Sequence, residues 1–110
     1  MKNWKIEYSA QSEAEMRDIY RYILNVLNEP IAAQRKIRQI YGTISKLKNS
    51  PFRAIVDEEP LKTQNIRRIN IGKYSVLFYL DEENRTIYIM HIYYAKREIV
   101  NIFTESDTQP

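Results

Sequence analysis

The chain contains no cysteine, which removes disulfides and thiolate metal sites at once. Histidine occurs once, as His91; without a second imidazole or a thiolate, no transition-metal site is expected. Glycine occurs twice, too rarely for the glycine-rich loops that cradle phosphates. No ordering of Ser, His and Asp suggests a nucleophilic triad. No apolar run approaches the roughly 18 residues needed to span a bilayer, and Met1–Tyr8 lacks the long apolar core of a signal peptide. The expectation is therefore a cytoplasmic protein with no cofactor, no bound metal and no membrane partner.

What is present suits one folded unit. Hydrophobic residues make up 44% and charged residues 28% of 110 residues, enough apolar surface to bury a core in one domain. Residues 1–103 are expected to form that domain, with 104–110 as a flexible tail. The net charge is +3, and its distribution is uneven. Lys62, Arg67, Arg68 and Lys73 follow one another without an acid, just after the acidic triplet Asp57, Glu58 and Glu59. A local basic excess of this kind suits an anionic partner. Tyrosine is abundant at 9 residues, and its amphipathic ring suits half-buried margins and interfaces alike.

Alternation in Trp4–Tyr8 predicts a short first strand. Ser12 and Glu15 have the spacing of a capping box, and Met16, Ile19, Tyr20, Ile23, Val26 and Leu27 then recur as one helical stripe. Asn28 to Pro30 breaks that helix, with Pro30 early in the next. Ala33, Ile37, Ile40, Ile44 and Leu47 carry the second stripe, which Ser50 and Pro51 end. Residues 51–64 read as a loop containing at most a short turn. Three strands follow: one ending at Ile71, then Tyr74–Leu80 beyond a turn at Gly72 and Lys73, then Thr86–Tyr94 beyond a polar hairpin turn. Ala95–Phe103 has the pattern of a short last helix. The predicted class is α+β, a helical hairpin on one face of an antiparallel sheet in the order β-α-α-β-β-β.

Parity along the strands assigns faces. Ile69 and Ile71, then Val76, Phe78 and Leu80, then Met90 and Ile92 are expected under the helices. In the last strand Tyr88 and Tyr94 share the parity of Met90 and Ile92, and Ile87 and Ile89 share the opposite face with His91 and Tyr93. The opposite, exposed face would present Arg68, Asn70, Ser75, Tyr79, His91, Tyr93 and, if the last strand continues, Arg97. Such residues suit an ordinary solvated sheet face, and they also suit a surface that holds an anion or a nucleic-acid strand. One chemistry needs neither metal nor thiol: RNA is cut by its own 2′-hydroxyl when a protein aligns it, neutralises the phosphate and moves protons. Arg68, Lys73, His91, Tyr93 and Arg97 have the character for that work.

Tyr8-Ser9, the run Asp18 to Ile23, Ala33, Ile44, Leu47, Pro51, Arg68, the run Tyr74 to Tyr79, Asp81, Ile89 and the run Ile92 to Arg97 together carry a family pattern. In these residues the chain resembles the RelE/ParE superfamily of type II toxin–antitoxin toxins, nearer the ParE (plasmid stabilisation) branch. The resemblance implies a growth inhibitor silenced by a cognate antitoxin, acting either on DNA gyrase (ParE-like) or as a metal-independent, ribosome-dependent mRNA endoribonuclease (RelE-like). A degenerate toxin that only binds antitoxin is a third possibility. In RelE-like nucleases a basic residue of the second strand and an arginine ending the fourth belong to the site, and Arg68 and Arg97 match them. Ser75 stands where a second arginine would be and Phe103 near the place of a tyrosine; a serine cannot neutralise a phosphate, and a phenylalanine cannot move a proton. These departures favour the ParE-like branch. The candidate target- or anion-binding set is Arg67, Arg68, Lys73, Ser75, Tyr79, Lys96 and Arg97. The tyrosine-rich helix surface, Tyr20, Tyr22 and Tyr41, suits an amphipathic antitoxin segment, and a homodimer or a toxin–antitoxin hetero-oligomer is the implied assembly.

Overall fold

A computed structural model of the chain describes residues 4–53 and 65–95. The first strand, β1 (Lys5–Tyr8), leads through Ser9 into helix α1 (Ala10–Arg21). Ser9 is the N-cap: its Oγ accepts the Ser12 N–H at 2.9 Å and donates to the Met90 carbonyl at 3.0 Å. The cap thus lies three residues before the one that the Ser12/Glu15 spacing predicts. Ser12 is instead a buried first-turn residue whose hydroxyl donates to the Ser9 carbonyl. Glu15 is left free for other work.

Beyond Arg21 the helix widens into one π-turn, Tyr22–Val26, in which the Leu27 N–H reaches back to the Tyr22 carbonyl. Asn28 then takes a left-handed conformation (φ 57°), as residues ending a helix often do. The extra residue per turn breaks the 3.6 period. Met16, Ile19 and Ile23 are buried as expected, but Val26 and Leu27 are exposed rather than part of the core stripe. Helix α2 (Pro30–Ser45) begins with Pro30 in its first turn. Its predicted stripe faces inward, with Ala33, Ile40 and Ile44 fully buried and Leu47 just beyond. Pro51–Arg53 is a single 3₁₀ turn.

Strands β2 (Ile66–Ile71), β3 (Tyr74–Asp81) and β4 (Thr86–Tyr94) form the predicted antiparallel meander. In the hairpin turn between β3 and β4, Asp81 accepts hydrogen bonds from the Asn84 side chain and backbone N–H, which hold its carboxyl below its ordinary pKa. The N-terminal strand joins β4 in parallel, so the sheet is mixed, in the order β1-β4-β3-β2. Parallel pairing is natural here, because α1 and α2 separate β1 from the meander.

A bulge corrects the face assignment of β4. Leu77 pairs with His91 but Phe78 pairs with Ile89, leaving Met90 as the extra residue. Alternation therefore reverses at Met90. Ile87 and Ile89, expected on the open face, lie under the helices with Phe78 and Leu80, all fully buried. Ile92 keeps its expected place in the core, and Tyr88 moves to the other face beside Tyr79. Each large apolar side chain buried there contributes on the order of 2 kcal/mol.

Candidate functional site

The face of the sheet away from the helices carries Arg68, Asn70, Ser75, Tyr79, His91 and Tyr93 in rows set by the strand register. Asn70, Ser75 and Tyr93 form one row, and Arg68, Leu77 and His91 the next. Tyr79 and Tyr88 form a third, each 39% exposed. The first two rows depart from the expectation of an open face. Ser75, Leu77, His91 and Tyr93 are all buried. The Ser75 hydroxyl is engaged, donating to Asn70 Oδ1 at 2.6 Å. Leu77, an apolar side chain with no exposure, separates Arg68 from His91, whose strands lie about 10 Å apart across β3.

His91 is held from a direction that sequence reasoning missed. Where β1 ends, no other described strand pairs with this edge of β4, and Glu15 of α1 closes on it. One Glu15 oxygen accepts the Ile92 N–H at 2.8 Å and the other lies 3.2 Å from His91 Nδ1. The carboxylate stands in for the next strand, satisfying a backbone donor at the sheet edge. The only sign in the sequence was an acid one turn beyond a well-capped start, which the capping-box pattern claimed for itself.

The remaining predicted residues are dispersed. Arg67 shares the helix-side parity of Ile69 and lies with its guanidinium carbon 5.2 Å from the Phe52 ring centre, so it is not on the face of Arg68. Phe52 in turn meets Trp4 edge to face at 5.9 Å. Lys73, in the β2–β3 turn, lines a groove of about 660 Å³ with Tyr22, Leu27, Tyr74 and Tyr94. Tyr20 and Tyr41 line a different groove, about 710 Å³, between the two helices with Leu24 and Ile37. The three helix tyrosines therefore divide between two surfaces. Lys96, Arg97 and Phe103, the acidic triplet at 57–59, Lys62, the predicted last helix and the 104–110 tail lie outside the described residues.

Two tyrosines, Tyr8 and Tyr74, are held toward the neutral phenol. Burial, and then the repulsion of neighbouring Tyr41, raises the Tyr8 pKa to about 12; the Tyr8 and Tyr41 rings meet edge to face at 5.4 Å. Tyr74 is raised by burial and then by Tyr22 and Tyr94, and its ring meets that of Tyr94 at 5.9 Å.

A family model described as the ParE toxin of the type II toxin–antitoxin system parDE matches residues 6–99. The chain belongs to the ParE toxin family. No curated protein matches it by sequence. Among solved structures, the chromosomal ParDE system of P. aeruginosa superposes on this ParE-family toxin with a TM-score of 0.71 at 18% identity, over 86% of this chain and 98% of that one. The isolated E. coli RelE toxin gives 0.58 at 11% identity, over 96% and 99%, and the intact E. coli RelBE toxin–antitoxin complex 0.59 at 10%, over 86% and 99%. At such identities the likeness establishes the fold, which the two toxin branches share.

Among the described residues of this ParE-family toxin, no group of three or more His, Asp or Glu side chains could hold a metal ion, and no helix is long and apolar enough to cross a membrane. Arg68 is the one arginine or lysine that β2, β3 and β4 place on the face away from the helices.

Proposed function

We propose that the chain is a ParE-like growth inhibitor that acts on DNA gyrase and is neutralised by a cognate antitoxin. The observation that carries this reading is Ser75. It occupies the third-strand position where the resemblance to RelE-like nucleases calls for an arginine, and its hydroxyl is committed to Asn70. With the apolar Leu77 between Arg68 and His91, the described residues of that face offer a scissile phosphate little of the charge neutralisation that RNA cleavage needs.

The antitoxin part of the proposal rests on the family and on two grooves of mixed polarity edged by tyrosine. Tyr20 and Tyr41 mark the groove between the helices, and Tyr22 marks the one beside Lys73. An amphipathic segment laid along the helical hairpin would cover the first.

A RelE-like ribosome-dependent endonuclease is the second reading, favoured by the Glu15–His91 contact, since a carboxylate that fixes one ring nitrogen is how proton-transferring imidazoles are oriented. Arg68, His91, Tyr93 and Arg97 would then form the site. Expression without antitoxin separates the two. Gyrase poisoning predicts induction of the DNA-damage response before protein synthesis falls. Prompt translation arrest with codon-phased mRNA cuts would reverse the assignment, and normal growth would mean a chain that retains antitoxin binding alone.

A further inference from the structure

Strand β1 is the outer strand of the sheet, paired with β4 on one side only among the described residues. Its bonds to β4 begin with the Lys5 N–H on the Arg85 carbonyl at 2.8 Å and end with the Ser9 N–H on the Ile89 carbonyl at 2.9 Å. In a parallel pair, alternate residues direct both backbone groups at the neighbour. Lys5 and Glu7 therefore turn theirs toward β4, and Ile6 and Tyr8 turn theirs outward.

We propose that a second copy of the chain pairs with this edge, the two β1 strands running antiparallel about a two-fold axis at Ile6. The two Ile6 residues then exchange N–H and carbonyl hydrogen bonds. Lys5 falls opposite Glu7 of the second copy, and Glu7 opposite its Lys5. These flanking positions are the non-hydrogen-bonded pairs, where side chains approach most closely. Lys5 and Glu7 are both exposed and share the face away from the helices, so each dimer gains two opposite-charge cross-strand pairs.

Charge also selects the register. Sliding the strands by one pleat repeat either way places Lys5 against Lys5 or Glu7 against Glu7. A pattern that reads the same from both directions is what a two-fold interface requires. It favours a second copy over an unrelated strand. Tyr41 and Ser45 of α2, with Lys48 just beyond its end, border the same edge across a groove of about 590 Å³, which leaves room beside the strand. Because the edge is only four residues long, the dimer is weak and depends on concentration.

The inference is independent of the toxin's target, so its test is physical. Sedimentation of the full chain should show the average mass rising from 13.2 kDa toward twice that value between roughly 10 µM and 1 mM, the weak end of specific association. Lys5→Glu and Glu7→Lys should each weaken dimerisation by about tenfold or more, because each sets like charges in opposition twice. An equimolar mixture of the two variants, and the double variant Lys5→Glu/Glu7→Lys, should restore it. Circular dichroism confirms that all variants are folded. A chain that stays at 13.2 kDa throughout, single variants that dimerise as well as the unmodified chain, or a mixture no heavier than its components would overturn the proposal.

Discussion

Glu15 and His91 are 76 residues apart in sequence and touch at 3.2 Å, tying the first helix to the last described strand at the point where β1 stops. The same carboxylate accepts the Ile92 N–H, so one side chain joins two layers of the domain. Both groups are largely buried, with side-chain exposures of 9% for His91 and 17% for Glu15. Replacing Glu15 by Ala should therefore cost about 2 kcal/mol, since it removes a charged acceptor from a buried backbone donor. Glu15→Gln, which keeps an acceptor for Ile92, should lose about half as much. Urea denaturation of the two variants measures the difference.

His91→Ala separates structure from chemistry. Under the ParE-like reading it lowers stability yet leaves growth inhibition within a few-fold at a temperature where the variant is folded. A proton-transferring histidine would instead cost about 10²–10⁴-fold. Growth curves after induction, with folded protein quantified alongside, distinguish the two.

The phenol of Tyr8 gives a pH dependence with a definite sign. Its folded pKa is raised to about 12, by burial first and by Tyr41 second, from an unfolded value near 10. The contribution to stability is therefore complete below pH ~10 and is lost as the pH climbs through about 12. Thermal unfolding between those limits should show the decline. Tyr41→Phe should shift the Tyr8 ionisation downward in a tyrosinate absorbance titration.

The two glycines should respond to alanine in opposite directions. Gly72 has φ +60°, and an added Cβ would meet Lys36 Nζ at 3.2 Å. The ammonium can swing away, but the backbone cannot, so Gly72→Ala should destabilise by about 1 kcal/mol. Gly42 lies within α2 with nothing near the position of a new Cβ. Gly42→Ala should stabilise by roughly 0.5–1 kcal/mol through helix propensity. Paired denaturation curves test both.

Much of the fold was legible because its apolar periods are unbroken. The α2 stripe of Ala33, Ile40 and Ile44 and the alternation of Val76, Phe78 and Leu80 lead straight to the buried layer. Misreadings arose wherever one residue was inserted into a period. The bulge at Met90 exchanges the two faces of β4, and the π-turn at Tyr22–Val26 takes Val26 and Leu27 out of the core. Neither insertion leaves a mark in local composition. The candidate site was legible in its strand positions, Arg68, Ser75, His91 and Tyr93, but not in its burial or in its link to Glu15. That contact depends on where β1 ends against β4, a parallel pairing that no hairpin signal announces.

The most direct measurement is made with purified gyrase and relaxed plasmid. Added chain should abolish supercoiling and leave cleaved, gyrase-bound DNA, and prior mixing with the cognate antitoxin should prevent both. Unchanged supercoiling at high toxin excess, together with phased cuts in ribosome-bound mRNA, would contradict the assignment to gyrase and return Arg68, His91, Tyr93 and Arg97 to a nuclease site.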